Sequence, residues 1–268
     1  MQTANQYLGV KMKKLHLIYL FFSLIFVFNL TSCLTIHEKK VVPAPYVPEP
    51  SAFQEVEVED SFNIYFSTAS RPVIDGSFED WDGLEGIHTR TMVYGGTFNP
   101  ESADGHFVYR TDGQYLYVFA DISDEDARTN PYEIAQAWRG DSIELFFGTD
   151  TSSHKFYKAS DVRVRIASNS KTDINDVKVS FNDILTENPD IQVAFVFNDS
   201  GYKVEAALPL EDMGGKNLKL KDKVRGDFQI NDADGGKERI RLIHWHSKAD
   251  NTYMDASSWG DGKVVPLK

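Results

Sequence analysis

Apolar and polar residues alternate with a period of two in most patterned segments of this chain, which are rich in β-branched and aromatic residues. This alternation is typical of β-strands with one buried face. No segment has the apolar spacing of a long helix, and only short helical turns are expected, near residues 183–187 and 211–214. The pattern predicts strands at residues 56–58, 62–66, 106–110, 115–122, 142–147, 162–166, 191–197, 202–210, 228–232 and 240–245.

The segments between these strands favour hairpin connections. Residues 111–114 (TDGQ) and 198–201 (NDSG) each separate two predicted strands and contain residues typical of tight turns. Many short strands joined by turns are typical of a β-sandwich. We therefore predict an all-β fold, an antiparallel β-sandwich of jelly-roll-like form with few short helices, and we assign residues 53–268 to it as one domain.

The N-terminal segment has the layout of an export signal. Three lysines between positions 11 and 14 precede an apolar run at residues 15–30. A bilayer-spanning helix needs about 20 residues, whereas a charged start followed by a shorter apolar run is typical of a secretory signal. The run ends in the sequence LTSC, which resembles the lipobox of bacterial lipoproteins, whose cysteine is acylated and whose signal is cleaved just before it. Residues 1–32 are therefore predicted to be a lipoprotein signal peptide.

Cys33 is the only cysteine in the chain, so an internal disulfide is impossible. We interpret this residue as a lipid anchor; the alternative is a buried apolar helix with an incidental cysteine. Four prolines between positions 43 and 50 favour an extended spacer. Residues 33–52 are accordingly predicted to be a lipidated cysteine and a proline-rich tether. Leu34 is compatible with sorting to the outer membrane, which is the expected location.

Charge and aromatic content restrict the classes of partner. The formal net charge of −12 opposes binding to nucleic acid. Aromatic residues make up 13% of the chain, which suits either a β-core or a surface that binds sugars. Composition does not distinguish these two uses.

Three of the predicted strands each have one polar side. If they share a sheet, alternation places their polar side chains together on the side opposite the core. Carboxylates accept hydrogen bonds, guanidinium groups donate them and amides do both, so such a face suits sugar hydroxyls. The alternative is a solvated face with cross-strand ion pairs, each contributing about 0.2–1 kcal/mol. The residues concerned are Glu144, Arg163, Arg165, Gln229 and Asn231.

Six segments resemble, in order, conserved elements of the family 9 carbohydrate-binding modules. Together they cover nearly all of residues 70–268. The resemblance implies a β-sandwich that is not catalytic and holds a terminal sugar between two aromatic rings, with polar side chains at its edges. The segments are IDG with a following DW (residues 74–81), DGQYLYV (112–118), WRGDSIELF (138–146), YKVEAALP (202–209), FQIND (228–232) and the closing stretch 245–267.

The resemblance also implies roles for individual residues. Trp138 would be the first ring, although a core position is the alternative for this indole, and either Trp245 or Tyr253 would be the second. Trp81 and Trp259 are expected to be structural. The polar contacts implied are Glu144 as an acceptor for sugar hydroxyls, Arg165 or Arg163, Gln229, Asn231 and Asn251.

An acidic stretch at residues 231–236 (NDADGG) resembles a loop that holds calcium. Hard cations take several oxygen ligands, and members of the resembled family bind structural calcium. Asp232 and Asp234 are the candidate ligands, with an ordinary acidic turn as the alternative.

The function predicted from the sequence is non-catalytic carbohydrate binding at the cell surface, beside glycan-degrading enzymes carried on separate chains. The alternative is a subunit of a surface protein assembly that does not bind sugar. An enzyme is disfavoured, because no nucleophile elbow, catalytic serine motif or phosphate loop is present. A haem-binding electron carrier would need an axial ligand such as Met92, Met213 or Met254.

Overall fold

A computed structural model describes residues 60–100, 102–234 and 238–268, and β-strands dominate this part of the chain. The helical segments described are short 3₁₀ turns at Glu79–Trp81, Ile134–Arg139, Leu210–Met213 and Ala256–Ser258. The strands are β1 (Ser61–Phe66), β2 (Ile87–Thr89), β3 (Thr91–Tyr94), β4 (Ala103–Thr111), β5 (Tyr115–Asp124), β6 (Ser142–Gly148), β7 (Asp161–Ser168), β8 (Val177–Phe181), β9 (Ile184–Leu185), β10 (Gln192–Asn198), β11 (Gly201–Pro209), β12 (Lys223–Asp232), β13 (Arg241–His244) and β14 (Gly260–Pro266).

The strands form one continuous hydrogen-bonded system that curls over a shared core. Its order is β10-β11-β5-β4-β1-β14-β12-β6-β7-β8-β9, with β2 paired to β4, and with β13 between β12 and β3. Phe228 of β12 stacks on Tyr109 of β4 at 4.6 Å between ring centroids, although these strands are not hydrogen-bonded neighbours. The two halves of the sheet therefore pack face to face, as in a β-sandwich.

The alternation in the sequence explains which side chains fill this core. Ile143, Leu145, Val164 and Ile230 occupy alternate positions on three strands, and each is at most 1% exposed within the main apolar cluster. At about 25 cal/mol per Å² of buried apolar surface, this burial is the main favourable contribution to folding. The polar residues between them must then point away from the core.

The prediction of an all-β fold is confirmed. All the predicted strands within the described ranges are present, and the turns at 111–114 and 198–201 join antiparallel pairs, β4–β5 and β10–β11. The strand predicted at residues 56–58 lies outside the described residues. So do the predicted signal peptide, Cys33 and the tether, so the structure provides no information on any of them.

Two local expectations are wrong. β1 runs parallel to both β14 and β4, so the sheet is mixed rather than wholly antiparallel. Parallel neighbours need long crossover connections, and residues 67–102 provide one between β1 and β4. Within residues 183–187, where a helical turn was expected, the chain instead forms β9, which pairs with β8 through Phe181 and Ile184.

In the described ranges, no helix combines the length and the apolar character required to cross a membrane.

Candidate functional site

The floor of the candidate site is the outer face of β12, β6 and β7, which are adjacent in the sheet. Gln229 lies opposite Glu144, and Glu144 lies opposite Arg165. The structure therefore brings together the polar face that alternation predicted, because the three strands pair in register.

This face is covered and not solvated. The cross-strand Glu144–Arg165 ion pair of the alternative interpretation is present, but both residues are only 1% exposed and Asn231 is fully buried, so the face is not solvated. The 3₁₀ turn Ile134–Arg139 lies across β7 and β8 and provides part of the cover. Buried charges are stable only when other groups hydrogen-bond to them, so the partners of these side chains decide what the site can bind.

Arg165 is the most fully bonded of these groups. Its Nε donates to Glu144 Oε1 at 3.0 Å, and its Nη1 donates to Asp183 Oδ1 at 2.8 Å and to the carbonyl of Ile134 at 2.8 Å. Burial lowers the pKa of Arg165, but the carboxylates of Glu144 and Asp183 more than offset this effect, so the net pKa is raised. Arg165 therefore remains charged and organises the floor.

Within the described residues, Glu144 and Arg163 each have one polar atom that makes no hydrogen bond. Glu144 Oε1 accepts from Arg165 and from Asn231 Nδ2, both at 3.0 Å, whereas no described group donates a hydrogen bond to its Oε2. Arg163 pairs with Asp183 through Nη2, whereas its Nε makes no hydrogen bond. Glu144 Oε2 and Arg163 Nε are buried and form an ion pair with each other at 3.6 Å, which is longer than a hydrogen bond. A polar ligand that reached both side chains would supply the hydrogen bonds that this long pair lacks.

The space above the floor is a pocket of about 340 Å³. Two aromatic side chains stand at its sides: Trp138 is half-buried, and Tyr253 is 46% exposed. The guanidinium of Arg163 lies 5.8 Å from the ring centroid of Tyr253. The lining residues are Ala135, Gln136, Trp138, Glu144, Arg163, Arg165, Asp183, Gln229, Arg239, Asp250 and Tyr253.

Hydrogen bonds to the backbone hold Trp138 in place. The carbonyl of Ala137 accepts from Asn130 Nδ2 at 2.7 Å and from Ser142 Oγ at 3.0 Å. At the other end of the turn, the carbonyl of Ile134 accepts from Arg165. Arg165, which belongs to the floor, therefore also helps to position the turn that carries Trp138.

Arg239 closes one side of the pocket. Its guanidinium lies 5.1 Å from the ring centroid of Trp138, a cation–π contact. It donates to Asn231 Oδ1 at 3.1 Å and to Asp250 Oδ2 at 2.7 Å. Sequence patterns did not identify Arg239, Asp183 or Asp250, because these residues lie in loops, where periodicity provides no signal.

Most of the predicted polar residues meet here, and their roles remain predictions. Glu144, Arg163, Arg165 and Gln229 line the pocket, together with the predicted rings Trp138 and Tyr253. Asn231 lies behind this lining, where its amide connects Glu144 with Arg239.

One predicted contact needs correction. Trp245 is fully buried in the main core, edge-on to Phe62 at 5.5 Å, and it cannot be the second ring. β13 ends at His244, so strand alternation does not extend to Trp245. The contact predicted for Asn251 stays a prediction: this residue lies between the lining residues Asp250 and Tyr253, and its backbone carbonyl accepts from Met254 and Asp255, both at 2.9 Å.

Trp81 and Trp259 are 4% and 2% exposed, as expected for structural residues. Trp81 Nε1 donates to the buried Glu205 Oε1 at 2.7 Å. Trp259 packs edge-on against Tyr157 at 5.2 Å.

A second group of charged residues lies apart from the pocket lining. Carboxylate oxygens of Asp124, Asp141 and Asp232 all lie within 4.8 Å of one another, and all three residues are buried. Asp232, one of the two predicted ligands, is therefore grouped with residues from the end of β5 and from the position before β6. Asp234 is not in this group, and its predicted role as a ligand stays a prediction.

The chemistry of this group fits a hard cation. Burial raises the pKa of Asp124 to about 6 and that of Asp141 to about 8. Burial also raises the pKa of Asp232, although its ion pair with Arg241 opposes the increase. Asp124 Oδ2 is buried and has no hydrogen-bond partner among the residues that the structure describes. Oxygen ligands and negative charge are what calcium requires.

Comparisons with known proteins identify the family. A family model described as carbohydrate family 9 binding domain-like matches residues 74–266. The chain is 28% identical over 215 residues to endo-1,4-beta-xylanase A of Thermoanaerobacterium saccharolyticum. It is 27% identical over 215 residues to exoglucanase XynX of Acetivibrio thermocellus. Each match covers 79% of this chain, but only 17% and 18% of the respective relatives.

Solved structures share the fold. A carbohydrate binding module family 9 domain from Caldicellulosiruptor kristjanssonii, in complex with cellotriose, aligns with a TM-score of 0.61 and 22% identity, covering 78% of this chain and 95% of that one. A putative carbohydrate-binding protein from Bacteroides uniformis aligns with a TM-score of 0.51 and 8% identity, covering 76% and 99%. Because the family model spans residues 74–266, well over half of the sequence, the chain belongs to the carbohydrate family 9 binding domain-like family.

Proposed function

We propose that this protein binds carbohydrate without catalysis and holds one sugar unit in the pocket between Trp138 and Tyr253. The observation on which this rests is the pocket of about 340 Å³, in which Trp138 and Tyr253 line the same cavity as the ion-paired Glu144 and Arg163. A hydroxyl group both donates and accepts. A sugar hydroxyl that inserts into this long ion pair would donate to the Glu144 carboxylate and accept from the Arg163 guanidinium.

The walls of the pocket suit the rest of a sugar ring. Pyranose C–H faces are apolar and pack on aromatic rings, while a few polar groups set the orientation of the ligand. Trp138 and Tyr253 provide the rings, and Arg165 and Gln229 provide further polar groups. The family membership, and relatives named as xylanases and an exoglucanase, support a glucan or xylan as the source of the sugar. A related domain solved with glucose supports the same ligand class.

The ion pairs of the pocket support binding over hydrolysis. A glycosidase of the usual type needs two carboxyl groups across the scissile bond, one of them protonated. In the described lining, the carboxylates are Glu144, Asp183 and Asp250, and each of them pairs with an arginine. All three carboxylates of the described lining are thus already engaged by cationic partners, which supports a binding role.

The first test is isothermal titration of the purified protein with a panel of mono- and oligosaccharides, followed in parallel by tryptophan fluorescence. Of the four tryptophans, Trp138 alone is half-buried while the other three are buried, so a change in emission reports on this residue. We expect Trp138→Ala to lower the affinity by at least about 30-fold, equivalent to about 2 kcal/mol, the usual loss at a central aromatic anchor.

The matched control is Tyr94→Ala, which removes an aromatic ring that is 55% exposed and outside the pocket lining. It should leave the affinity unchanged. If the folded wild-type protein binds none of the sugars, the proposal is wrong, and a subunit of a protein assembly becomes the better interpretation. If Trp138→Ala binds the sugars as tightly as wild type, the sugar does not bind in this pocket.

We also propose that the protein is exported and held to a membrane by lipid on Cys33, where it would serve polysaccharide-degrading enzymes on other chains. The support is the charged and apolar N-terminal sequence that ends in LTSC. The test is incorporation of labelled palmitate in the native host, which should disappear in Cys33→Ser. Labelling that persists in this variant would exclude this anchor.

A structural calcium ion at Asp124, Asp141 and Asp232 is a further part of the proposal. It is supported by the three converging buried carboxylates and by the free Asp124 Oδ2. Calcium should raise the melting temperature of the wild-type protein, and a chelator should reverse the increase. Asp124→Asn should abolish this response, whereas Asp234→Asn, an acidic neighbour outside the group, should keep it. An equal response in all three proteins would place any bound calcium elsewhere.

A further inference from the structure

Exposed apolar side chains are concentrated beside the pocket. Eight large apolar residues in the described ranges are 46% exposed or more. Three of the eight lie in two neighbouring segments at one side of the pocket. Two more form β9, the strand that directly follows the pocket-lining residue Asp183. Concentrations of exposed apolar surface around a cavity mark interaction sites. The first three are Phe156, Tyr253 and Met254, here called the aromatic edge, and the other two are Ile184 and Leu185, here called the aliphatic edge.

Hydrogen bonds hold the aromatic edge beside the pocket. Tyr253 itself lines the pocket, and Met254 follows it. The segment containing Phe156 is tied to the same turn, because the carbonyl of Lys155 accepts from the amide of Ala256 at 2.9 Å. On the other side of Phe156, the hydroxyl of Tyr157 donates to the carbonyl of Thr252 at 2.8 Å.

Phe156 is thus presented to solvent by a well-anchored segment. The ring of Tyr157 packs inward against Trp259 at 5.2 Å, whereas the side chain of its neighbour Phe156 is 82% exposed. Most of this aromatic surface is therefore open to solvent. A ligand that extends out of the pocket would cover it.

The size of the pocket requires such an extension for any long ligand. Small-molecule pockets usually range from about 300 to 1,000 Å³, so a volume of about 340 Å³ is at the small end. A polysaccharide with one unit in this pocket must continue across its rim. Of the two apolar edges beside the pocket, the aromatic edge suits these outer units better, because a pyranose face packs better on an aromatic ring than on branched aliphatic side chains.

We propose that the aromatic edge is a second subsite, which binds the sugar units of the same polysaccharide that lie outside the pocket, with Phe156 as its main contact. This inference rests on the proposed function. The protein would then bind a chain more tightly than a single sugar, because the outer units add contacts that the pocket does not contain.

The test compares a monosaccharide with its tri- and hexasaccharide, using whichever series, cello- or xylo-oligosaccharides, binds the wild-type protein. Affinity should increase with length in the wild type. Phe156→Ala should lower the hexasaccharide affinity by roughly fivefold, the size of effect expected for one aromatic contact, and leave the monosaccharide affinity unchanged. Phe156→Tyr should keep the wild-type behaviour. The matched control is Ile184→Ala on the aliphatic edge, which should change neither affinity.

The outcomes separate this inference from the proposed function. If Phe156→Ala leaves the hexasaccharide affinity unchanged, or if Ile184→Ala lowers it instead, the aromatic edge is not the subsite, although monosaccharide binding dependent on Trp138 would still support the pocket. If no saccharide binds, both proposals are wrong. Phe156 is 82% exposed, so its removal should not disturb folding, and circular dichroism checks this directly.

Discussion

Replacing Glu144 with glutamine tests whether the long ion pair between Glu144 and Arg163 receives a ligand hydroxyl. Glutamine has the shape of glutamate but only one acceptor oxygen. That oxygen should take the place of Oε1, which accepts from Arg165 Nε and Asn231 Nδ2, both at 3.0 Å. The amide nitrogen then replaces Oε2 and faces Arg163 Nε, 3.6 Å away in the wild type. Two donors would face each other, and a sugar hydroxyl would lose its acceptor.

The loss of affinity can be estimated from the bond removed. A hydrogen bond to a charged group contributes about 1.5–3 kcal/mol, which corresponds to a loss of about 10- to 150-fold in affinity. Stability should also fall. Removing one partner of a buried ion pair costs about 3–5 kcal/mol, and we expect the lower end, because Arg165 keeps its bonds to Asp183 and to the carbonyl of Ile134.

The assay is a thermodynamic cycle between the variant and a set of deoxy sugars, titrated well below the melting temperature. For one deoxy sugar, the one that lacks the bridging hydroxyl, Glu144→Gln should cause little additional loss, because the same bond is already absent. For every other sugar in the set, Glu144→Gln should cause the same loss of affinity as it does for the unmodified sugar. The control is Asp250→Asn, which removes the charge of a 45% exposed partner of Arg239. It should weaken the binding free energy by about 1 kcal/mol at most. An equal loss for all the deoxy sugars would refute the bridging geometry.

Two further predictions concern the core and the buried aspartates. Trp245→Ala should destabilise the fold by about 3–5 kcal/mol, because it leaves a cavity beside Phe62, and denaturant titration should show this without a change in sugar affinity; lost binding at unchanged stability would contradict the core assignment. The pKa of Asp141 is about 8 in the folded protein and near 4 in the unfolded chain, so between these pH values folding is accompanied by the binding of a proton. In the presence of chelator, the free energy of unfolding should therefore fall as the pH rises from about 4 to 8, by on the order of 1.4 kcal/mol per pH unit. Asp141→Asn should reduce this pH dependence, and a stability that rises with pH over this range would contradict the assignment.

Local sequence determined the strands and the sides of those strands. Ile143 and Glu144 are adjacent in sequence, and the first is in the core while the second is on the polar face, because successive side chains of a strand point in opposite directions. The same rule placed Arg165 and Gln229 correctly, and turn residues located two hairpins. Each of these inferences needed only residues that are close together along the chain.

The tertiary structure decided how distant segments meet. Alternation shows which side of a strand is polar, but only the 3₁₀ turn Ile134–Arg139 and its neighbouring loops convert that side into a buried pocket. Arg239 reaches Trp138 and Asn231 from a loop, and periodicity does not predict loop positions. The aspartate group likewise joins residues 124, 141 and 232, whose proximity depends on strand packing.

The choice between Trp245 and Tyr253 shows the limit most clearly. Both are aromatic residues in the region where the second ring was expected, and the sequence left them as alternatives. The structure buries Trp245 in the core and leaves Tyr253 at the pocket. The direction of a side chain beyond the end of a strand depends on the path of the loop and on what packs beneath it, and these are set by contacts between residues far apart in the chain.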